Sequence, residues 1–174
     1  MQTAPEEGRR QRREYVDRFL ADVGLAFEAL FPSTQKCLDE WARQARVVED
    51  QPSANFGNVV VQLCKAVESE LAAGLGSVEA LNFLTGGALG QKSEALTRAK
   101  LDVKTKLRLE SWGIKPGFVV SDLPKLLSQL AKLRRDTDSA HGNAEIRSAN
   151  LQDSRRARQI AGQILRGVAR KSAS

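Results

Sequence analysis

Apolar residues recur along the chain at intervals of three and four and almost nowhere alternate with the period of two that a strand requires. The pattern predicts an all-α fold, a single-domain helical bundle of about five to seven helices over residues 1–174. After a short polar tail, about residues 1–8 and including Pro5, the positions Tyr15, Phe19, Val23, Phe27 and Leu30 mark one face of a long first helix, from about Glu7 to Leu30. Pro32 is its expected stop. Ser33 is placed to cap a second helix carrying Cys37, Leu38, Trp41 and Ala45, which gives out before Glu49-Asp50-Gln51-Pro52. A third helix, from about Ala54 to Leu75, is apolar round much of its circumference through Val59, Val60, Leu63, Val67 and Leu71, which suits the centre of a bundle. It also carries Glu68 and Glu70.

Glycines at 74, 76, 86, 87 and 90 then prevent one continuous helix and leave room for a short one near Ser77 to Leu84. From about Ser93 to Leu109 the chain is expected to be helical and basic, with Arg98, Lys100, Lys104, Lys106 and Arg108 among leucines. Trp112 to Gly117 reads as a loop, and Ser121 as the cap of a helix whose Leu123, Leu126, Leu127, Leu130 and Leu133 follow the i, i+3, i+4, i+7 pattern. Pro124 is tolerated in its first turn. Asp153 or Ser154 is the expected cap of a last helix, Arg155 to about Arg170, with Ile160, Ile164, Leu165 and Val168 as its apolar stripe.

A chain of 174 residues can bury a core without a disulfide or a metal. Its formal charge of +6 favours a polyanionic partner, RNA, DNA or an acidic protein. Cys37 and Cys64 form no Cys-x-x-Cys pair, so they read as small buried hydrophobes of a reduced compartment, and no metal or cofactor is implied. The charged N-terminus lacks the apolar core of a signal peptide, and no segment approaches the ~20 apolar residues of a membrane span, so a cytoplasmic location is expected. Arg9-Arg10, Arg12-Arg13 and Arg155-Arg156-Arg158 read as solvated faces or as a track for nucleic-acid phosphates. No compact helix-turn-helix pair stands out, which weakens a sequence-specific DNA-binding reading.

His141 is the one imidazole of the chain and must carry whatever near-neutral proton transfer the protein performs. Arg134 and Arg135 precede it by seven and six residues. Projected at about 100° per residue, Leu123, Leu130, Arg134 and His141 fall within roughly 40°, so an unbroken helix pairs His141 with Arg134. Asp136, Thr137, Asp138 and Ser139 are mediocre helix residues, however, and a helix ending among them brings Arg135 round instead. Both arginines therefore stand as candidates, each also a plausible cation for a helix C-terminus. Ser139, two residues from His141, cannot form a hydrolase dyad with it on one helix, and Glu68 and Glu70, spaced by two, do not share a face.

The run Arg135-Asp136-x4-His141 resembles the signature of the HEPN (higher eukaryotes and prokaryotes nucleotide-binding) superfamily, in which an arginine and a polar residue precede a histidine by four to six intervening residues. Ala140 and Gly142 flank the histidine as in the familiar AHG ending. Val59 to Leu75 looks like the Glu-bearing upstream helix of many members, and Ala88 to Gln91 echoes an LGQ element; the resemblance is strongest over residues 59–170. It implies a metal-independent endoribonuclease working as a homodimer through the motif helix, possible regulation by a partner protein, and a defence or stress role such as antiviral or toxin activity. His141 and Arg135 are the implied catalytic residues, with Arg134 as the alternative phosphate ligand and Asp136 orienting His141 or the arginine. Asn143 stands where some toxin members carry a modifiable tyrosine, which argues against silencing by that route. The competing expectation is a non-catalytic module that uses the same helix to dimerise or to bind nucleic acid or protein.

Overall fold

The computed structural model describes residues 4–51, 54–137 and 149–170. Seven α-helices and no strand are found among them: α1 (Ala4–Ala21), α2 (Pro32–Val48), α3 (Gly57–Ala73), α4 (Leu89–Arg98), α5 (Val103–Ser111), α6 (Leu123–Thr137) and α7 (Leu151–Val168). Short 3-10 segments occupy Phe27–Ala29, Leu75–Ser77 and Glu79–Thr85, and a π-helical turn, Phe118–Asp122, leads into α6. No described helix is long and apolar enough to cross a membrane.

The all-α bundle that the periodicity predicts is the one that forms, with α3 at its centre. Val59, Val60, Leu63, Cys64, Ala66, Val67 and Leu71 are all buried, so α3 meets neighbours on most sides, packing against α2, α6 and α7. The α6 leucines 123, 127, 130 and 133 turn into the same core, and α4 lies along α6. On the far side, α1 closes on α2 through an aromatic cluster. Trp41 lies 5.1 Å from the Tyr15 ring and 5.0 Å from the Phe19 ring, centroid to centroid, both tilted. Arg158 of α7 covers all three rings and donates to Asp22 at 3.1 Å.

Several element boundaries differ from the sequence expectation, each for a local reason. α1 ends at Ala21, well short of Leu30. Gly24, at φ +70°, takes the left-handed conformation, its N–H donates to Ala21 O at 3.0 Å, and the Leu25 N–H donates to Leu20 O at 2.9 Å. That bonding pair is the Schellman stop, and glycine meets its backbone demand without strain. Pro32 accordingly does not end α1 but opens α2, with Phe31 rather than Ser33 at the cap. Pro5 lies in the first turn of α1, so the stretch from Ala4 to Gly8 is helical.

The basic segment expected as one helix is broken into α4 and α5. Asp102 causes the restart, its Oδ1 accepting the Thr105 N–H at 2.7 Å as an N-cap. Ser121 is not a cap but lies within the π turn, where the Leu123 N–H donates to Phe118 O. Pro124 follows directly. It has no N–H, and in a regular helix its ring would crowd the carbonyl four residues back, so a widened turn just before it accommodates the ring. α7 begins at Leu151, capped by Asn150 rather than Asp153 or Ser154. Asn150 Oδ1 accepts the Asp153 N–H and Asp153 Oδ2 accepts the Asn150 N–H, both at 2.9 Å, a reciprocal capping box.

Candidate functional site

α6 is continuous through Asp136 and Thr137, so the weak helix formers do not end it before that point. Thr137 is buried and donates its hydroxyl to Leu133 O at 2.8 Å, satisfying itself on its own helix. With the helix intact, Arg134 and Arg135 are separated by about 100° of rotation and meet different surroundings. Arg134 turns toward α3, where its Nη1 lies 3.3 Å from Glu68 Oε1, the two side chains retaining 32% and 25% of their exposure. Arg135 is exposed, and Asp136 is half-buried.

Glu68 is thus a member of the site that the sequence pattern did not single out for it. Its charge also acts on Lys92 of α4, which is buried and donates its ammonium to Leu84 O at 2.6 Å and Gly86 O at 2.5 Å. Burial lowers the Lys92 pKa, and the Glu68 charge opposes that shift. Cys64 lies beside the same group, with its thiol pushed up to about 12 by burial; Cys37 is raised for the same reason. Neither thiol is activated as a nucleophile, and both cysteines are free.

Glu70 points elsewhere, as a spacing of two on a helix requires. Its Oε2 accepts the Phe31 N–H at 3.1 Å beneath the start of α2, and the residue is 1% exposed. Burial raises its pKa. The folded state therefore favours the protonated acid, and Glu70's contribution to stability is greatest below the ordinary carboxylate range and declines as pH rises toward the raised pKa. Glu70→Gln keeps the acceptor and removes the titration. Its melting temperature relative to the parent is expected to climb between about pH 4 and pH 8 in thermal melts; a pH-independent difference would contradict the shift.

The chain leaves the described region at Thr137 and re-enters it at Ala149, and both ends are held at the start of α3. Ala149 O accepts the Phe56 N–H at 3.0 Å, and a Cβ on Gly57 would come within 3.1 Å of Thr137 O. His141 lies outside the described residues, as do Ser139, Ala140, Gly142 and Asn143. Of the sequence-derived site, the structure therefore positions Arg134, Arg135 and Asp136, and it brings Glu68 to the first of them.

The charge is unevenly distributed. Residues 4–51 hold eight Lys or Arg against ten Asp or Glu, whereas residues 92–137 hold eleven against five and residues 151–170 hold five against one. Moreover, three of the four arginines between Arg9 and Arg13 are paired. Arg10 pairs with Glu14, Arg12 with Asp39, and Arg13 with both Asp17 and Glu28. Of the two arginine-rich readings, a phosphate track over Arg9 to Arg13 thus loses most of its free cations, and Arg158 is committed to the aromatic cluster. The uncompensated charge belongs to α5, α6 and α7. Among the described residues no group of three or more His, Cys, Asp or Glu is arranged to hold a metal ion.

Comparison with protein-family models, with curated proteins and with solved structures finds no match to this chain.

Proposed function

We propose that this chain is a metal-independent endoribonuclease of the HEPN type, acting as a homodimer. One observation carries the reading: at the end of α6, Arg134 is held by Glu68 while Arg135 is left exposed, six residues before the sole histidine. An exposed guanidinium at that point can take a phosphate in a forked, charge-assisted geometry that lysine does not reproduce. Cleavage then proceeds by attack of the RNA 2′-hydroxyl on the adjacent phosphorus. His141 accepts the hydroxyl proton as the O2′–P bond forms, Arg135 neutralises the charge gathering on the non-bridging oxygens, and the P–O5′ bond breaks as the partner's His141 gives a proton to the departing oxygen. The products are a 2′,3′-cyclic phosphate and a 5′-hydroxyl. DNA lacks the attacking group and is not a substrate of this chemistry. Asp136 acts here by orienting His141 or the arginine. Cytoplasmic RNA, in defence or stress, is the setting that goes with this reading.

A second reading is favoured by the charge distribution alone: a nucleic-acid-binding module that dimerises and binds RNA without cutting it. Incubating the purified protein with single-stranded and structured RNA, with and without EDTA, separates the two. Cleavage that survives EDTA and leaves cyclic phosphate ends supports the first; bound but intact RNA rejects it in favour of the second.

A further inference from the structure

An open groove of about 890 Å³ lies between the turn that ends α1, the turn at Gly113, the π-helical turn Phe118–Asp122, the first half of α6 and the C-terminal end of α7. Its apolar lining comes from Val23, Leu25, Ala26, Leu126 and the Phe118 ring. Its charged lining consists of Lys115, Lys125, Arg166 and Arg170 against one carboxylate, Asp122. None of these four cations is in an ion pair among the described residues, in contrast to Arg10, Arg12 and Arg13. Arg170 is instead stacked over Trp112 at 3.7 Å and donates to Ser77 Oγ at 3.2 Å. Gln129 and Gln163 add amide donors and acceptors to the walls.

The cations do not stop at the groove. Lys125, Ser128, Lys132 and Arg135 are all exposed on α6. At about 100° and 1.5 Å per residue they fall within roughly 80° of one another and extend about 15 Å along the helix. They form a polar row, without a large apolar side chain, that leads from the groove wall to the arginine of the proposed site. We propose that single-stranded RNA occupies the groove and follows this row to Arg135. Lys115, Lys125 and Arg166 hold backbone phosphates, while Arg170 stays on Trp112, and the apolar lining receives bases. A linear polyanion matches both features, whereas an acidic helix seated in the groove would leave the α6 row uncovered. The inference rests on the ribonuclease reading for its choice of RNA over other polyanions.

The test is fluorescence anisotropy of a fluorescein-labelled single-stranded oligouridylate over a range of NaCl concentrations, alongside cleavage kinetics. Lys125→Gln/Arg166→Gln changes two exposed side chains and is expected to weaken binding at least ~10-fold. It should also reduce the slope of log K against log salt by about 1.4, since each lost phosphate contact removes ~0.7. KM should rise with kcat unchanged. Arg43→Gln, which removes a cation engaged with Glu40 at 2.6 Å on α2, is expected to bind as the parent does. Undiminished affinity in the double variant, or an equal loss in Arg43→Gln, overturns the groove. The two proposals fail separately: a parent that binds RNA in a groove-dependent way without cutting it rejects the nuclease alone, and one that cuts RNA with a dispensable groove rejects the groove alone.

Discussion

Arg135→Ala is expected to lower the single-turnover rate of RNA cleavage by about 100- to 1,000-fold, the usual cost of removing one preorganised group that stabilises developing charge. The fold should be unaffected. Arg135 is exposed at the end of α6, and no ion pair or hydrogen bond of its side chain is found among the described residues, so truncation leaves nothing buried unsatisfied. Arg134→Ala should behave in the opposite way. It strips Glu68 of its partner across the α3–α6 contact. Because the pair retains about a third of its exposure, the stability lost is modest, about 1 kcal/mol. Thermal melts and cleavage rates on both variants therefore separate a phosphate ligand from a structural cation. If Arg134→Ala loses cleavage with an unchanged melting temperature while Arg135→Ala cuts normally, the roles assigned to the two arginines are reversed. If neither variant loses activity, the motif is not the catalytic site.

That distinction shows where the sequence stops being legible. Helical projection leaves Arg134 and Arg135 as alternatives, because the angle between them is fixed while the identity of what lies opposite each is not. What separates them is Glu68, 66 residues away in sequence and brought alongside only when α3 packs against α6. The gross architecture was easier to read. α3 is apolar round much of its circumference, and that composition suits the middle of the bundle. The leucine row of α6 is likewise unambiguous. Boundaries are hard to read where a single residue outweighs a long periodic pattern. Gly24 ends α1 although Phe27 and Leu30 continue the spacing, because a left-handed residue satisfies the last carbonyls of the helix. Asp102 divides the basic segment for the converse reason, offering a cap that starts a new helix among residues of good helix propensity. Both signals are single side chains, whereas periodicity averages over many. The groove cations are illegible for another reason: Lys115, Lys125, Arg166 and Arg170 come from three separated stretches and share a surface only in the folded chain.

Trp41→Ala is expected to destabilise the protein by about 3–5 kcal/mol, the range for emptying a buried aromatic site. At this chain length each kcal/mol lowers the melting temperature by about 2–4 °C, so the loss should be plainly visible in a melt. Trp41 is 1% exposed and touches rings from α1 while Arg158 of α7 lies over it, so one side chain ties α1, α2 and α7 together. Truncation removes apolar burial, two tilted ring contacts and part of the surface on which the Arg158 guanidinium rests. Trp41→Phe sharpens the argument. Phenylalanine restores a ring and most of the volume, and it deletes an indole N–H that has no hydrogen-bond partner, so its cost should stay below about 1.5 kcal/mol. The result bears on domain organisation because Glu68, Arg134 and Arg135 all lie after α1 and α2 in the chain. A large loss in Trp41→Ala, in one cooperative transition, would show that the N-terminal helices and α7 unfold together as one unit. A loss under about 1 kcal/mol, or a separate early transition, would instead make α1 and α2 an appendage to the helices that carry Arg134 and Arg135.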